Sequence, residues 1–399
     1  MRRRSLVSVL LAASLVLLPA AGRALEPTDY EAEIARLQKD IDTGISALAA
    51  PVDFEKALRY VFAVYRKASL TSDFKDFKAA ETVIDEALEK IGPLEDLDLL
   101  KANFDFKLHR LAATKADLEK VPDKETEAGV KALRADLAFQ EGRYDEARKG
   151  YESVLREKKT WDNLARLAYL KSRTGDVQGA DKLYVEAADE ITAKEMRSYA
   201  WVELQRGLLD FDDGRYEEAL AHYRTADRAY SGYWLIQEHI AEVLDRLGKT
   251  DESVALYRSI IERTRNPEFV SALAAILDRK DHAAAAELDQ EAGRLFDEQS
   301  SLYPEAAYGH AIQSLLRRRE TSPRLLELAE ANYRLRPNGD SELLLARAYL
   351  KVGEIAKAKA MLDEILATPW RTPELARVAK EVRSARTRAV SSTAPVPSS

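Results

Sequence analysis

The sequence predicts an all-α protein, a solenoid built from antiparallel helix pairs. The first observation is composition. The chain of 399 residues has only 16 glycines and 13 prolines, and 46% of its residues are hydrophobic. This is the composition of a chain that folds, and its dominant residues, Ala, Leu, Glu, Lys and Arg, favour helix. The second observation is a sequence unit that recurs at nearly constant spacing.

A six-residue string that starts with glycine marks each unit. It occurs at 142–147, 175–180, 214–219, 248–253 and 353–358, so successive glycines are 33, 39, 34 and 105 residues apart. A small residue precedes each glycine by seven positions and another follows it by five. Larger or apolar residues follow the glycine by nine and twelve positions. In chain order, the four linked positions hold Ala135, Ala168, Gly207, Ala241 and Ala346; Ala147, Ala180, Ala219, Ser253 and Ala358; Tyr151, Tyr184, Tyr223, Tyr257 and Leu362; and Val154, Ala187, Ala226, Ile260 and Ile365.

Each repeated position has a physical reason. Glycine ends a helix at little cost because it lacks Cβ and adopts the left-handed backbone without strain. Small residues on facing surfaces let two antiparallel helices approach closely. The residue four positions after the second small residue lies on the same helix face. It can therefore fill the space toward the next helix, and the whole set predicts helix pairs that stack along the chain.

This pattern resembles the tetratricopeptide repeat, which has a period of about 34 residues with small and aromatic residues at these places. The resemblance covers about residues 128–370. It implies a right-handed superhelix in which the first helix of each pair lines a concave inner face. Two units between 265 and 340 are degenerate. The aromatic residue early in the first helix is also mostly absent, since Lys131, Leu164, Glu203 and Gln237 stand there.

The predicted organisation has five parts. Residues 1–24 are a signal peptide. Residues 25–125 form one or two divergent helix pairs that continue the solenoid, or alternatively a separate helical domain. Residues 126–371 hold five clear and two degenerate repeats. Residues 372–386 form a helix that covers the last apolar surface, and residues 387–399, rich in Ser, Thr and Pro, form a disordered tail.

The first 24 residues have the three parts of a secretory signal. Three arginines follow Met1, residues 6–21 are apolar and uncharged, and Gly22 and Ala24 are small residues before a cleavage point at Leu25. The apolar stretch is short for a membrane span of about 20 residues. We expect cleavage and, from the bacterial style of the signal, a periplasmic location, with no membrane span in the mature chain. An uncleaved membrane tether and secretion are the alternatives.

Composition also excludes several classes of function. The formal charge is −7. Residues 1–24 contain four arginines and no acidic residue, so the remainder of the chain carries −11. An acidic chain argues against nucleic-acid binding, which depends on basic patches. The absence of cysteine excludes thiol catalysis, disulfides and cysteine-bound metal. Because no nucleotide-binding or hydrolase motif is present, we expect neither a cofactor nor enzyme activity.

Glu238, His239 and Glu242 lie within about one turn of a predicted helix. Such residues can contribute to a metal site, but a site needs three or four ligands, and the nearest other candidate is His222. We interpret the three as a polar stripe that faces the groove without a metal. A small-ligand or metal-binding protein, or an enzymatic accessory protein, built on the solenoid is the alternative.

The inner helix positions predict where a partner binds. In the third unit, whose turn glycine is Gly214, these positions are apolar, although the expected core positions hold Glu203, Arg206 and Asp210. The alternative is a shifted helix whose apolar residues are ordinary core, because the unusual 39-residue spacing precedes this unit. The candidate groove residues are Phe139, Tyr169, Trp201, Leu204, Leu208, Phe211, Glu238, His239 and Glu242.

These observations predict a non-enzymatic scaffold or adaptor of the bacterial cell envelope. It would bind a peptide or a helix of a partner protein in the concave groove. The partner's identity does not follow from the sequence. A membrane-tethered assembly factor, held by an uncleaved signal, is a further alternative.

Overall fold

The structure is a computed structural model that describes residues 27–92, 94–121, 128–318 and 321–393, with side chains described up to 387. The predicted signal peptide at 1–24 lies outside the described residues. Within them the chain forms twenty α-helices and no strand, as the sequence predicts. The helices are α1 (Asp29–Gly44), α2 (Phe54–Thr71), α3 (Phe74–Ile91), α4 (Glu95–Lys107), α5 (Leu111–Leu118), α6 (Ala128–Gln140), α7 (Tyr144–Glu157), α8 (Trp161–Arg173), α9 (Val177–Asp189), α10 (Met196–Asp212), α11 (Tyr216–Ala229), α12 (Trp234–Arg246), α13 (Thr250–Thr264), α14 (Pro267–Leu277), α15 (His282–Leu302), α16 (Pro304–Arg317), α17 (Arg324–Leu335), α18 (Gly339–Lys351), α19 (Ile355–Ala367) and α20 (Pro373–Thr393).

Helices α6 to α19 form seven consecutive pairs, and each pair packs on the next. The repeated small and large residues lie where the sequence places them, because all twenty are buried between helices. The five turn glycines adopt a left-handed backbone with φ between +73° and +89°. The protein is therefore an α-solenoid of antiparallel helix pairs.

The first degenerate unit, α14 and α15, keeps the helix pair without the glycine turn. Asn266 caps α14 by accepting a hydrogen bond from the backbone N–H of Glu268, and Pro267 starts the helix. The side chain of Asp281 caps α15 in the same way, through the N–H of Ala284. Side-chain caps satisfy the free N–H groups at a helix start, so this unit does not depend on the glycine string.

The N-terminal part of the solenoid continues the same stacking with five helices, α1 to α5. Five is an odd number, so this part is not made only of complete helix pairs. Its core is joined by Tyr303, which is fully buried against residues of α2, α3 and α4 although it lies more than 200 positions later. The Tyr303 hydroxyl donates to Glu81 of α3 at 3.0 Å. The N-terminal helices therefore pack against the later part of the solenoid as well as against their neighbours.

Contacts between residues about 200 positions apart recur along the whole chain. The Tyr144 hydroxyl accepts a hydrogen bond from the backbone N–H of Gly339, 195 positions later. Tyr230 donates to Glu33 across 197 positions, and the guanidinium of Arg336 lies 3.0 Å from the His109 ring across 227. The solenoid thus completes one superhelical turn in about 200 residues, and its second turn rests on its first.

The last helix closes the stack. Trp370, which is fully buried before α20, packs its ring against Phe139 and Tyr144 of the first turn. Val378 and Val382 form part of the buried stripe of α20. The predicted helix at 372–386 ends seven residues too early, since α20 continues to Thr393 into the segment predicted as a tail. No proline interrupts the sequence between Pro373 and Pro395, so nothing in the backbone forces an earlier end.

Among the described helices none is both long enough and apolar enough to span a membrane.

Candidate functional site

The first turn of the superhelix encloses a cavity of about 610 Å³. The first helices of four successive pairs, α6, α8, α10 and α12, supply most of its wall. Leu70 at the end of α2 and Phe106 in α4 close another side. A cavity of this size is in the range of sites that bind small molecules or single side chains.

Aromatic side chains make much of the cavity wall. The indoles of Trp161 and Trp201 meet edge to face, with ring centroids 6.1 Å apart. Phe139 and Tyr169 form a second pair at 5.4 Å, and the guanidinium of Arg173 lies 4.8 Å from the centre of the Tyr169 ring. Trp161 and Trp201 stay partly exposed to the cavity. Such rings offer a large apolar contact area at low cost in side-chain entropy.

An ion-pair group forms one polar edge of the cavity. Arg166 of α8 donates to Asp136 at 3.1 Å and to Asp162 at 2.7 Å, and the Tyr151 hydroxyl donates to Asp136 at 2.8 Å. Burial raises the pKa of Asp136, and Arg166 only partly offsets it. For Asp162 the hydrogen bonds from Thr160 and Arg166 outweigh burial and lower the pKa.

A second polar group lies on the side where α1 meets α10 and α11. Glu33 accepts a hydrogen bond from the Tyr230 hydroxyl at 2.7 Å and pairs with Arg66 at 2.5 Å and with Arg197 at 3.3 Å. Burial acts to raise the pKa of Glu33, but Tyr230 and the two arginines outweigh burial, so the pKa is lowered. Arg197 also lines the cavity, so this group fixes a cavity residue to the N-terminal helix.

The structure brings four of the predicted groove residues together in the cavity wall, namely Phe139, Tyr169, Trp201 and Leu204. Phe139 and Leu204 are only 3% and 1% exposed, so they shape the wall more than its surface. Leu208 and Phe211 lie further along α10, outside the cavity lining. There the Phe211 ring packs on Tyr216 at 5.4 Å.

The polar residues at the expected core positions of α10 form a buried polar contact. Glu203 is 4% exposed and pairs with Arg206 at 3.1 Å and with the His222 ring at 2.8 Å. Burial acts to raise the pKa of Glu203, but these partners lower it. His222 therefore binds Glu203 of its own helix pair and does not join Glu238 and His239.

Glu238, His239 and Glu242 form a separate cluster on α12. Nδ1 of His239 lies 3.4 Å from Oε2 of Glu238 and 3.9 Å from Oε2 of Glu242. The Tyr257 hydroxyl donates to the other Glu238 oxygen at 3.1 Å. Burial raises the pKa of Glu238 to about 7, with His239 opposing and the Glu242 and Glu268 carboxylates adding to the rise. Of the described residues, these three form the one group spaced to hold a metal ion.

Sequence reasoning missed the part of the cavity that distant segments provide. Leu70, Phe106 and Arg197 line it, but none belongs to the inner positions of the clear repeats. Trp161 and Tyr233 stand at the start of helices, outside the inner positions considered. The period of the repeat gives no signal for contacts between turns, because they join residues far apart in sequence.

Two family models match parts of the chain. Residues 129–231 match the TT21 fifth ARM repeats domain, and residues 210–276 match the tetratricopeptide repeat. Each covers less than half of the chain. Together they make residues 129–276 similar to repeats of the tetratricopeptide and ARM type. No curated protein sequence matches the chain.

Solved repeat structures are similar in fold at low sequence identity. The human IFIT1 dimer with PPP-AAAA is 17% identical, with a TM-score of 0.49 over 84% of this chain and 78% of that one. The Rap protein complexed with competence and sporulation factor is 12% identical, with a TM-score of 0.47 over 83% and 99%. A tetratricopeptide repeat protein from Parabacteroides merdae is 15% identical, with a TM-score of 0.37 over 64% and 98%.

Proposed function

We propose that this solenoid is a non-enzymatic interaction scaffold that holds a short segment of a partner protein in its inner cavity. The observation that carries the proposal is the aromatic wall around Trp161 and Trp201, which stays partly open inside the superhelix. Large apolar surfaces left open in this way mark binding sites more often than accidents of packing. No cofactor is part of the proposal.

The size and lining of the cavity define the segment. About 610 Å³ holds a few side chains and not a folded domain. The apolar wall selects an aromatic or large aliphatic side chain, and Arg197 and Gln205 offer hydrogen-bond donors for the backbone beside it. We therefore propose a short peptide segment, extended or helical, that anchors one or two apolar residues.

The test is selection of peptides from a random display library on the purified protein, followed by affinity measurement. We expect peptides with an aromatic or large aliphatic anchor. Trp201→Ala should weaken their binding about 10- to 100-fold, because buried tryptophans at interfaces contribute about 2 kcal/mol or more. The matched control is Leu366→Ala, which removes an apolar side chain that is 46% exposed on α19.

A photo-crosslinking amino acid placed at position 201 or 366 extends the test to cells. The proposal predicts a defined product from position 201 that disappears when Trp161 is also changed to Ala. Identical products from both positions, or selected peptides that bind the Trp201→Ala protein unchanged, would contradict it.

We further propose that the protein works outside the cytoplasm, in the bacterial periplasm, after cleavage before Leu25. The support is the basic start, apolar stretch and small residues of 1–24. Cell fractionation with N-terminal sequencing of the purified protein tests this. A chain that starts at Met1 in a membrane fraction would indicate the tethered alternative, and a mature chain in the medium would indicate secretion.

A further inference from the structure

Helix α12 carries a group of side chains that have the spacing of metal ligands. Glu238, His239 and Glu242 each offer one donor atom, and the three atoms lie within 4.8 Å of one another. Nδ1 of His239 stands between the two carboxylates, at 3.4 Å and 3.9 Å. Ligand atoms about 2.0–2.2 Å from a tetrahedral zinc ion are roughly 3.3 Å from each other, so small side-chain rotations bring all three into range.

The donor atoms of this group are only partly used by the protein. Nδ1 of His239 is buried and makes no hydrogen bond among the described residues. Its distance of 3.9 Å from Glu242 is too long for one. Arg246 lies 4.0 Å from Oε1 of Glu242, the oxygen other than the one that faces His239. The Tyr257 hydroxyl occupies only Oε1 of Glu238. One oxygen on each carboxylate and one ring nitrogen thus remain available within 4.8 Å of one another.

Tyr223 of α11 gives an independent indication of a missing ligand. It is fully buried, and its hydroxyl has no hydrogen-bond partner among the described residues. Its ring lies over that of His239, with centroids 5.5 Å apart, and Glu242 and Glu238 are the charges that act on the phenol most strongly. A buried hydroxyl without a partner costs about 1–3 kcal/mol. A ligand, or water bound to it, between the phenol and the carboxylates would remove that cost.

The charge around the group favours a cation. Glu268 of α14 adds a third carboxylate that acts on both Glu238 and His239. Two arginines and a histidine offset part of this charge. Arg246 lies 4.0 Å from Oε1 of Glu242, and Arg317, which donates to Ser271 at 3.0 Å, interacts with Glu242 and Glu268. Glu268 also pairs with Nδ1 of His310 at 2.9 Å. Several carboxylates held close together in a half-buried place repel one another, and a divalent ion would neutralise them.

We propose that Glu238, His239 and Glu242 bind one divalent transition-metal ion, of the zinc class, on the inner surface of the superhelix. The proposal departs from the sequence-based prediction of a polar stripe without metal. One imidazole with two carboxylates suits Zn²⁺, Mn²⁺ or Fe²⁺ better than Ca²⁺ or Mg²⁺, which take oxygen ligands. Tyr223 would stand behind the ion and hydrogen-bond a carboxylate or a bound water. The proposal is independent of the peptide cavity.

The test is metal binding by the full mature chain after treatment with a chelator. Equilibrium dialysis with Zn²⁺ alone, and separately with Mn²⁺, should give one ion per chain, and Mg²⁺ and Ca²⁺ should give none. Isothermal titration then provides affinities. His239→Gln and Glu242→Gln should weaken zinc binding by at least about 100-fold. Tyr223→Phe, which keeps the ring over His239, should weaken it by about tenfold, since partners behind a ligand typically contribute 10- to 100-fold.

Two matched controls remove surface groups of the same types. His282→Gln changes a mostly exposed histidine on α15, and Glu252→Gln changes an exposed carboxylate in the first turn of α13. Both should bind zinc as the unchanged protein does, and circular dichroism establishes that every variant is folded. Equal zinc binding by His239→Gln and the unchanged protein would overturn the proposal, as would the absence of any zinc or manganese bound at one equivalent.

Discussion

Helices α10 and α12 hold the same place in two neighbouring repeats but distribute their polar residues in opposite ways. In α10 the buried contact with the next helix contains Glu203, and the cavity side carries Trp201. In α12 Glu238 and Glu242 are half-buried outside the cavity lining, while Ala241 and Val243 are fully buried. Both helices keep a small residue at the point of closest approach. The repeat therefore fixes the few positions where helices touch and leaves the inner face free to vary.

The largest loss of stability is expected at the buried small positions that all the clear repeats share. Ala219 is fully buried where α11 meets α10. Ala219→Arg would place a charge there and should destabilise the protein by about 4 kcal/mol or more. Urea unfolding followed by circular dichroism measures this. Glu218→Arg, at the exposed neighbouring position, is the control, and an equal effect of both changes would show that the repeat register is wrong.

The next test compares the loss of stability on removal of a buried acid from α10 with the loss on neutralisation of an acid in α12. Glu203→Ala leaves His222 with only the longer contact to Asp210 at 3.6 Å and Arg206 with Asp181 only, so we expect a loss of about 3 kcal/mol. Glu242→Gln, on the half-buried face of α12, should change the stability of the metal-free protein by less than about 0.5 kcal/mol, because Glu242 has like charges beside it. Equal losses in the two variants would show that both helices depend on their acids in the same way.

The close approach of α10 and α11 depends on Gly207. A Cβ at this position would lie 2.4 Å from Cε1 of Tyr223. Gly207→Ala should therefore cost about 2 kcal/mol despite the better helix propensity of alanine, because the ring has no room to move. In α12 the same position already holds Ala241, and Ala241→Gly should cost about 1 kcal/mol. Thermal unfolding of both variants measures the difference, and a stabilised Gly207→Ala protein would contradict the packing.

The smallest effect concerns a buried acid that has, among the described residues, no arginine partner like that of Glu203. Burial, and secondarily Glu364, raises the pKa of Glu342 from 4.5 to about 7. Since the folded state holds a proton that the unfolded state releases, stability should fall as the pH rises between these values. Glu342→Gln should stabilise the protein by about 1–2 kcal/mol near pH 8 and have little effect near pH 4. A stability gain that is the same at both pH values would exclude burial of the charge as its cause.

The helix pairs could be predicted from the sequence because their signals are local. Gly142 and its small neighbours act within about 20 residues, and the small and large residues around each turn glycine are buried as expected. Contacts between turns could not be predicted in the same way. The hydrogen bond from the Trp234 indole to the carbonyl of Leu70 joins residues 164 positions apart, and no repeated spacing in the sequence predicts it. The cavity was therefore predicted on its inner-helix side only.

The resting of the second turn on the first has a consequence for how the molecule unfolds. Most solenoids behave as one-dimensional arrays, in which terminal units fray without disturbing distant ones. Here Tyr144 contacts Gly339, and Trp234 contacts the end of α2, so removal of either end exposes apolar surface in the middle. The chain should therefore unfold in a single cooperative transition and lose stability when it is truncated from its C-terminus. It should also fold more slowly than an open array, because these contacts join distant residues.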